Sequence, residues 1–147
     1  MSGITHGPLP SRHIFLHEIA KQPTATKVRF LGCVASYDVL TALLVLEHAY
    51  PQDLPQVPRV SVDLSLVLES LRPDQLQSGT WLNIIGYVSK CAPTKNRVPV
   101  PGRMSMGTGR SSIQALVVWN AGALRIGDYE KILSQQQNMR KQLQTEI

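Results

Sequence analysis

Two stretches of this chain each read as a long β-strand with one glycine near its centre. They are residues 27–38 and 79–90, with Gly32 and Gly86 as the central glycines. A strand with one solvent-exposed face alternates apolar and polar residues. Both stretches instead have apolar residues at odd and at even positions. A strand that bends midway and buries different faces along its length has this pattern, since glycine tolerates the bend. Small closed barrels need such bends, and the five-stranded OB-fold is the commonest such barrel that binds single-stranded nucleic acid.

The rest of the pattern completes an all-β, five-stranded OB-fold barrel. Further strands are predicted at 41–48, 59–65 and 112–119, and Val60, Val62 and Leu64 lie on one face of the second of these. The predicted helices are a short one at 14–19 that plugs one barrel end, another at 66–72 between strands three and four, and an amphipathic C-terminal helix at 128–145. An SH3-like barrel lacks the helix between strands three and four, and a β-sandwich needs more strands.

Length and composition favour one globular domain. The chain has 147 residues, of which 43% are hydrophobic and 17% charged. We expect residues 1–11 to form a disordered tail and residues 12–147 to form a single OB-fold domain. No apolar run is long enough for a membrane span, and the first residues lack the pattern of a secretion signal. Cys33 and Cys91 are expected to be reduced, partly buried thiols of an intracellular protein.

The positive charge is concentrated in one part of the chain. The net charge is +5, yet no acid occurs between Asp74 and Asp128. Within that stretch, a long loop of about residues 91–111 is rich in Pro, Gly and Ser. Loops of this kind are usually functional or disordered. The cations indicate either a polyanion or acidic protein surface as a partner, or a solvated loop that keeps the protein soluble, and charge alone favours neither.

The predicted C-terminal helix has an apolar stripe, with Asp128 as its expected N-cap. A five-stranded barrel needs no further helix to close its core, so we favour docking of a partner over packing of the helix on its own barrel. The expected partner-binding residues are Tyr129, Ile132, Leu133, Gln136, Met139 and Leu143.

No pattern in the sequence indicates catalysis. His13 and His17 could share one helix face, but no third metal ligand lies near them in the sequence. No nucleophile elbow occurs, and Asp38 and Asp63 have no obvious acid–base partner. His48 is interpreted as a residue at the edge of the core. We therefore expect a protein that is not an enzyme and that needs no cofactor or metal.

Four segments together resemble the Ten family, the small OB-fold subunits of the CST telomere-capping complex. They are residues 15–19, 27–38, 79–86 and the helix from 129 to 143. The resemblance covers nearly the whole chain, except the tail before Ser11 and the loop at 92–111, which is longer than the usual connection. Its most specific part is the first long strand, which ends in Tyr37 and Asp38.

The resemblance implies a partner role in the nucleus, at telomeric chromosome ends. It implies a heterodimer with the Stn subunit, assembly with the large CST subunit, and help in holding the single-stranded 3′ overhang. It also implies that the complex limits telomerase and supports fill-in synthesis by DNA polymerase α–primase. This polymerase is expected to be only an indirect partner of the subunit. The alternative is a general single-strand-binding subunit of a complex similar to replication protein A.

Two hypotheses about the molecular activity follow: direct binding of single strands, or a protein-interaction subunit that steadies its partner. Direct binding needs exposed aromatic rings beside cations, and only 5% of the residues are aromatic. We therefore expect weak binding of DNA by the chain alone and a strong protein interface. The candidate nucleic-acid-binding residues are Arg29, Tyr37, Lys90, Lys95, Arg97, Arg103 and Arg110.

Overall fold

The computed structural model describes residues 10–90 and 111–145. In chain order the strands are β1 (Arg12–His13), β2 (Lys27–Asp38), β3 (Leu43–Glu47), β4 (Arg59–Asp63), β5 (Trp81–Lys90) and β6 (Ser111–Asn120). Short 3₁₀ helices occupy Leu16–Lys21, Leu68–Ser70 and Pro73–Leu76, and one α-helix, α1, runs over Ile126–Thr145. No helix in this described part is long and apolar enough to cross a membrane.

Strands β2 to β6 close into a barrel. The long β2 pairs with β5 along its first half and with β3 along its second half, both antiparallel. The circuit continues from β3 to β4, from β4 to β6 in parallel, and from β6 back to β5. This is the predicted OB-fold barrel, in which one curved strand serves two parts of the sheet.

Gly32 and Gly86 allow close approach of neighbouring strands. A Cβ atom at Gly32 would lie 2.8 Å from Leu46 Cβ. A Cβ atom at Gly86 would overlap the carbonyl oxygen of Gln114 and lie 2.7 Å from Ile113 Cγ2. The register between β5 and β6 also shifts next to Gly86, between it and Ile85. Both glycines are therefore required where the barrel wall is tightest.

The helix predicted at 66–72, in the connection from β4 to β5, is wrong. Two separate 3₁₀ turns stand there, Leu68–Ser70 and Pro73–Leu76. Between them Leu71 and Arg72 are extended, with ψ of 142° and 146°. The residue before a proline is driven away from helical ψ, so Pro73 splits the segment into two turns.

The N-terminal segment also differs from the predicted helix at 14–19. Arg12 and His13 form the two-residue strand β1, parallel to β2, and a 3₁₀ helix follows from Leu16 to Lys21. Ile14, Phe15 and Leu16 are all buried. The segment therefore covers the barrel, as expected, but by a strand and a turn instead of an α-helix.

The barrel core is formed by inward-facing aliphatic side chains and one phenylalanine. The predicted alternation in β4 is confirmed, because Val60, Val62 and Leu64 are all buried. The largest fully buried side chains of this core are Ile19, Val28, Phe30, Val34, Leu44, Leu46, Leu64, Leu82, Ile84 and Ile113. Leu31 and Leu133 are equally buried but lie outside this cluster, which indicates a second packed layer on the barrel's outer surface.

Candidate partner and nucleic-acid surfaces

One face of helix α1 is fixed to the barrel by hydrogen bonds at three positions. Glu130 Oε2 lies 2.7 Å from His48 Nε2, and Tyr129 Oη lies 2.8 Å from His13 Nε2. Gln137 donates its side-chain amide to Glu18 Oε2 at 2.8 Å. The residue spacing places all these contacts on one side of the helix.

Leu133 is the apolar centre of that side. Its side chain is 1% exposed, and it lies in the helix between the contacts at Glu130 and Gln137. Burial of a leucine contributes about 2 kcal/mol, so this residue and the polar contacts together hold α1 to the barrel. The sequence left open whether the helix docks a partner or packs on its own barrel. For this face of the helix, the structure supports packing on the barrel.

The contacts of α1 belong to a cluster of rings that the sequence did not predict. Phe15 stacks on Tyr50 with ring centroids 4.2 Å apart, and His48 meets Trp81 edge-on at 5.3 Å. Tyr129 joins the cluster beside His13, at 5.7 Å. These residues come from the N-terminal segment, the end of β3, the start of β5 and α1. Because they are scattered along the chain, no local spacing could have indicated the cluster.

His13 and Tyr129 are both held neutral. Burial, then the charges of Arg29 and Arg140, lower the pKa of His13 to about 4. Burial raises the pKa of Tyr129 to about 12, against a smaller lowering by Arg29. At neutral pH the neutral imidazole and the neutral hydroxyl therefore share one hydrogen bond, whose donor is set by the ring nitrogen of His13 that carries the proton.

The histidine pair noted in the sequence does not share a helix. His13 lies in β1, whereas His17 lies in the 3₁₀ helix and stacks on Phe15, with ring centroids 5.8 Å apart. Within residues 10–90 and 111–145, no group of three or more His, Cys, Asp or Glu side chains could hold a metal ion. His13 contacts Tyr129 of α1, whereas His17 packs against Phe15 and Tyr50.

A second side of α1 remains exposed and apolar. Ile132, Met139 and Leu143 are 55%, 63% and 64% exposed. Gln136, between them on the helix surface, is also exposed. The structure therefore divides the predicted partner-binding set, leaving these four residues accessible.

Leu133 and Tyr129 have a different environment from those four. The expectation for Leu133 is corrected, because a side chain that is 1% exposed has no surface left for a partner. Tyr129 is partly buried in the ring cluster. The helix begins at Ile126, so Asp128 lies in its first turn and is not the N-cap that the sequence predicted.

The outer face of β3 and β4 is the usual nucleic-acid groove of an OB-fold, but here it is poorly suited to a nucleic-acid strand. Its cross-strand pairs are Leu43 with Asp63, Val45 with Ser61, and Glu47 with Arg59. Arg59 Nε lies 3.0 Å from Glu47 Oε2, which offsets its charge. The face has no aromatic ring for a base to stack on and no surplus of cations.

Of the candidate nucleic-acid residues, Arg29 and Tyr37 have side chains that the structure describes, and these two do not share one surface. Arg29 lies in the first half of β2, with its guanidinium 5.3 Å from the centroid of the Trp119 ring. Tyr37 lies about 26 Å further along the strand, at an extended spacing of about 3.3 Å per residue. There it packs against the core and lines a shallow apolar groove of about 620 Å³ with Leu71 and Leu76.

The other candidate cations are only partly covered by the structure. Lys90 ends β5, where its backbone pairs with Ser111. Lys95, Arg97, Arg103, Arg110 and Cys91 lie outside the described residues. β6 begins at Ser111, and its next residue pairs with Ser61 of β4, so the start of β6 lies beside the β3–β4 face.

Comparisons with known proteins point to one family. The family model described as Ten1, a telomere-capping subunit of the CST complex, matches residues 1–134. A chain in the crystal structure of the S. pombe Stn1–Ten1 complex superposes with a TM-score of 0.63 at 23% identity, covering 90% of this chain and 96% of that one. The crystal structure of the S. pombe telomere-capping protein Ten1 gives 0.61 at 22% identity, covering 88% and 99%. A comparison with curated proteins gives no match.

Proposed function

Because the chain belongs to the Ten1 family of telomere-capping CST complex subunits, we propose that it is a non-enzymatic partner of an Stn1-type subunit at chromosome ends. In this role it forms a heterodimer, joins the large CST subunit through that dimer, and works in the nucleus at telomeres. The complex holds the single-stranded 3′ overhang, limits telomerase and supports fill-in by DNA polymerase α–primase.

The exposed side of helix α1 is the observation that carries this proposal. Ile132, Met139 and Leu143 leave more than half of each side chain in water. The contacts on the adjoining side of the helix, through Glu130 and Gln137, hold it on the barrel. A rigid helix that presents an apolar row to solvent is typical of a docking surface, because little conformational entropy is lost on binding.

Direct binding of DNA by this subunit alone is expected to be weak. The β3–β4 face has a paired arginine and a carboxylate, Asp63, that forms no ion pair within residues 10–90 and 111–145. The loop cations Arg97, Arg103 and Arg110 would then add phosphate contacts beside a groove supplied mainly by the larger subunits. Replacing all three by Ala should reduce the salt dependence of overhang binding by the assembled complex and leave partner binding intact, as measured by DNA titration at several salt concentrations.

Depletion of the protein in cells tests the proposed role. We expect the protein to co-localise with telomeres and the telomeric 3′ overhang to lengthen after depletion, because fill-in synthesis falls. Re-expression of the wild type should restore the overhang length, and re-expression of an Ile132→Asp/Met139→Asp variant should not. An unchanged overhang after complete depletion would contradict the proposal.

A further inference from the structure

The outer face of β2, β5 and β6 combines cations with aromatic rings, on different strands from the β3–β4 face. Three cross-strand rows form it: Lys27 beside Tyr87, Arg29 beside Ile85 and Val117, and Trp119 beside Asn83. Val117 is exposed, Asn83 is buried, and the other five side chains are partly exposed. We call the residues Lys27, Arg29, Ile85, Tyr87, Val117 and Trp119 the Arg29 face.

The Arg29 face contains no acidic residue. The three strands together hold one acid, Asp38, at the far end of β2. Among the described residues no carboxylate forms an ion pair with Arg29, so its positive charge is uncompensated. On the β3–β4 face, by contrast, Arg59 is paired with Glu47.

Arg29 is also held in place in a way that suits ligand binding. Its guanidinium lies over the Trp119 ring at 5.3 Å, and its Nε is buried without a hydrogen-bond partner. A buried donor without a hydrogen-bond partner costs free energy. A role in packing alone does not explain why an arginine would stand there. A guanidinium plane stacked on one aromatic ring can present its other side to a base, and its charge can meet a phosphate.

The end of α1 adds to this positive region. The charges of Arg29 and Arg140 both lower the pKa of His13, so both contribute to the positive potential at this residue. Arg140 is exposed and forms no ion pair among the described residues. The cationic surface therefore continues from the Arg29 face towards the helix.

We infer that single-stranded nucleic acid contacts this subunit on the Arg29 face, with phosphate against Arg29 and a base against Tyr87, and not in the usual β3–β4 groove. This inference rests on the proposed function, since it locates the contact of this subunit with the overhang. Cations interleaved with partly exposed rings are the combination that binds single strands without strong sequence preference.

The test compares matched arginine variants in a titration with labelled single-stranded DNA. Full-length protein, alone and with the co-purified Stn1-type partner, is titrated into fluorescent oligo(dT) and into a G-rich telomeric repeat at several salt concentrations. Arg29→Met should weaken binding severalfold for both probes and reduce the salt slope by about one. Tyr87→Leu should weaken it by about tenfold. Arg59→Met, the control on the β3–β4 face, should leave the affinity unchanged.

A second measurement does not depend on the variants folding. Photo-crosslinking of wild-type protein to bromodeoxyuridine-substituted DNA should label peptides that contain Tyr87 or Trp119. Labelling confined to residues 43–63, or an effect of Arg59→Met without one of Arg29→Met, would overturn the inference in favour of the usual groove. Loss of partner capture in Arg29→Met at unchanged DNA affinity would identify a protein interface instead. If the wild-type pair forms but binds no DNA, the inference fails together with the DNA-binding part of the proposed function, while the heterodimer stands.

Discussion

The environment of His13 departs strongly from that of a free side chain. Its Nε2 lies 2.8 Å from the hydroxyl of Tyr129. Burial, then the charges of Arg29 and Arg140, lower its pKa to about 4. In the unfolded chain the same imidazole titrates near its ordinary value of about 6.5. Between these two values the unfolded state binds more protons than the native state, so the histidine links folding to pH.

The free energy of unfolding should therefore fall as pH drops from about 6.5 towards 4. His17, whose pKa burial also lowers, acts in the same direction. Because His13 is only half-buried, we expect a loss of ~1 kcal/mol between about pH 7.5 and pH 5. Urea denaturation at several pH values measures this loss, and a His13→Gln variant should lose most of it. An equal pH dependence in the variant would contradict the assignment.

Gly86 and Gly127 form a matched pair for testing why the barrel needs glycine. A methyl group at Gly86 would overlap the Gln114 carbonyl, whereas one at Gly127, in the first turn of α1, would meet nothing within 4 Å. Gly86→Ala should lower the free energy of unfolding by about 3 kcal/mol. Gly127→Ala should raise it by up to about 1 kcal/mol, since alanine favours helix. Chemical denaturation of both variants checks the sign, and equal effects would refute the close-approach explanation.

At the scale of elements, helix α1 has two sides with different roles. One side, with Leu133, Glu130 and Gln137, holds the helix on the barrel, and the other carries the exposed apolar row. The sequence placed both in one stripe, because residues three and four apart fall on the same broad face of a helix. The periodicity could not reveal which part of that stripe the barrel covers.

Leu133→Ala and Ile132→Ala should separate these two sides. Leu133→Ala removes a buried side chain and should cost about 2–4 kcal/mol of stability in the chain alone. Ile132→Ala removes a side chain that is 55% exposed and should change stability by less than about 1 kcal/mol. Thermal and urea denaturation of the isolated protein give both values. Comparable losses would mean that the helix lies on the barrel differently from the structure described.

The strands were predictable from sequence, and the short helical turns were not. Five barrel strands, including the curved strand centred on Gly32, follow from local apolar pattern, and the structure contains them all. The helix predicted at 66–72 is wrong because Pro73 and its neighbours favour extended backbone between two turns. The strand at Arg12–His13 is too short to leave a pattern, and its pairing with β2 depends on residues distant in the chain.

For the candidate surfaces, residue type was predictable but position was not. The sequence identified Arg29 as a cation next to aromatic residues, yet only the fold brings it over Trp119. Tyr37 was grouped with Arg29. However, the register of β2 shifts between Val34 and Ser36, and Tyr37 beyond the shift packs against the core. The pairing of His48 with Glu130 joins residues far apart in sequence, so no spacing could have predicted it.

At the scale of the whole molecule, the barrel serves as a rigid support that presents two surfaces of different chemistry. The row on α1 is apolar and suits a protein, whereas the Arg29 face is cationic and aromatic and suits a nucleic-acid strand. Because the surfaces use different residues, variants of one can leave the other unchanged. This separation makes the central claim, that the chain works as a docked subunit, directly testable.

The mass of the complex formed with an Stn1-type subunit tests that claim most directly. The two full-length chains are co-expressed, and light scattering measures the mass of the purified complex. We expect a one-to-one heterodimer with the wild type, and loss of it with Ile132→Asp/Met139→Asp, since charges in a desolvated interface are strongly destabilising. The control Gln135→Asp/Asn138→Asp, at exposed polar positions of the same helix, should still form the heterodimer. A wild-type chain that stays alone, or a folded Ile132→Asp/Met139→Asp variant that still forms the heterodimer, would contradict the account.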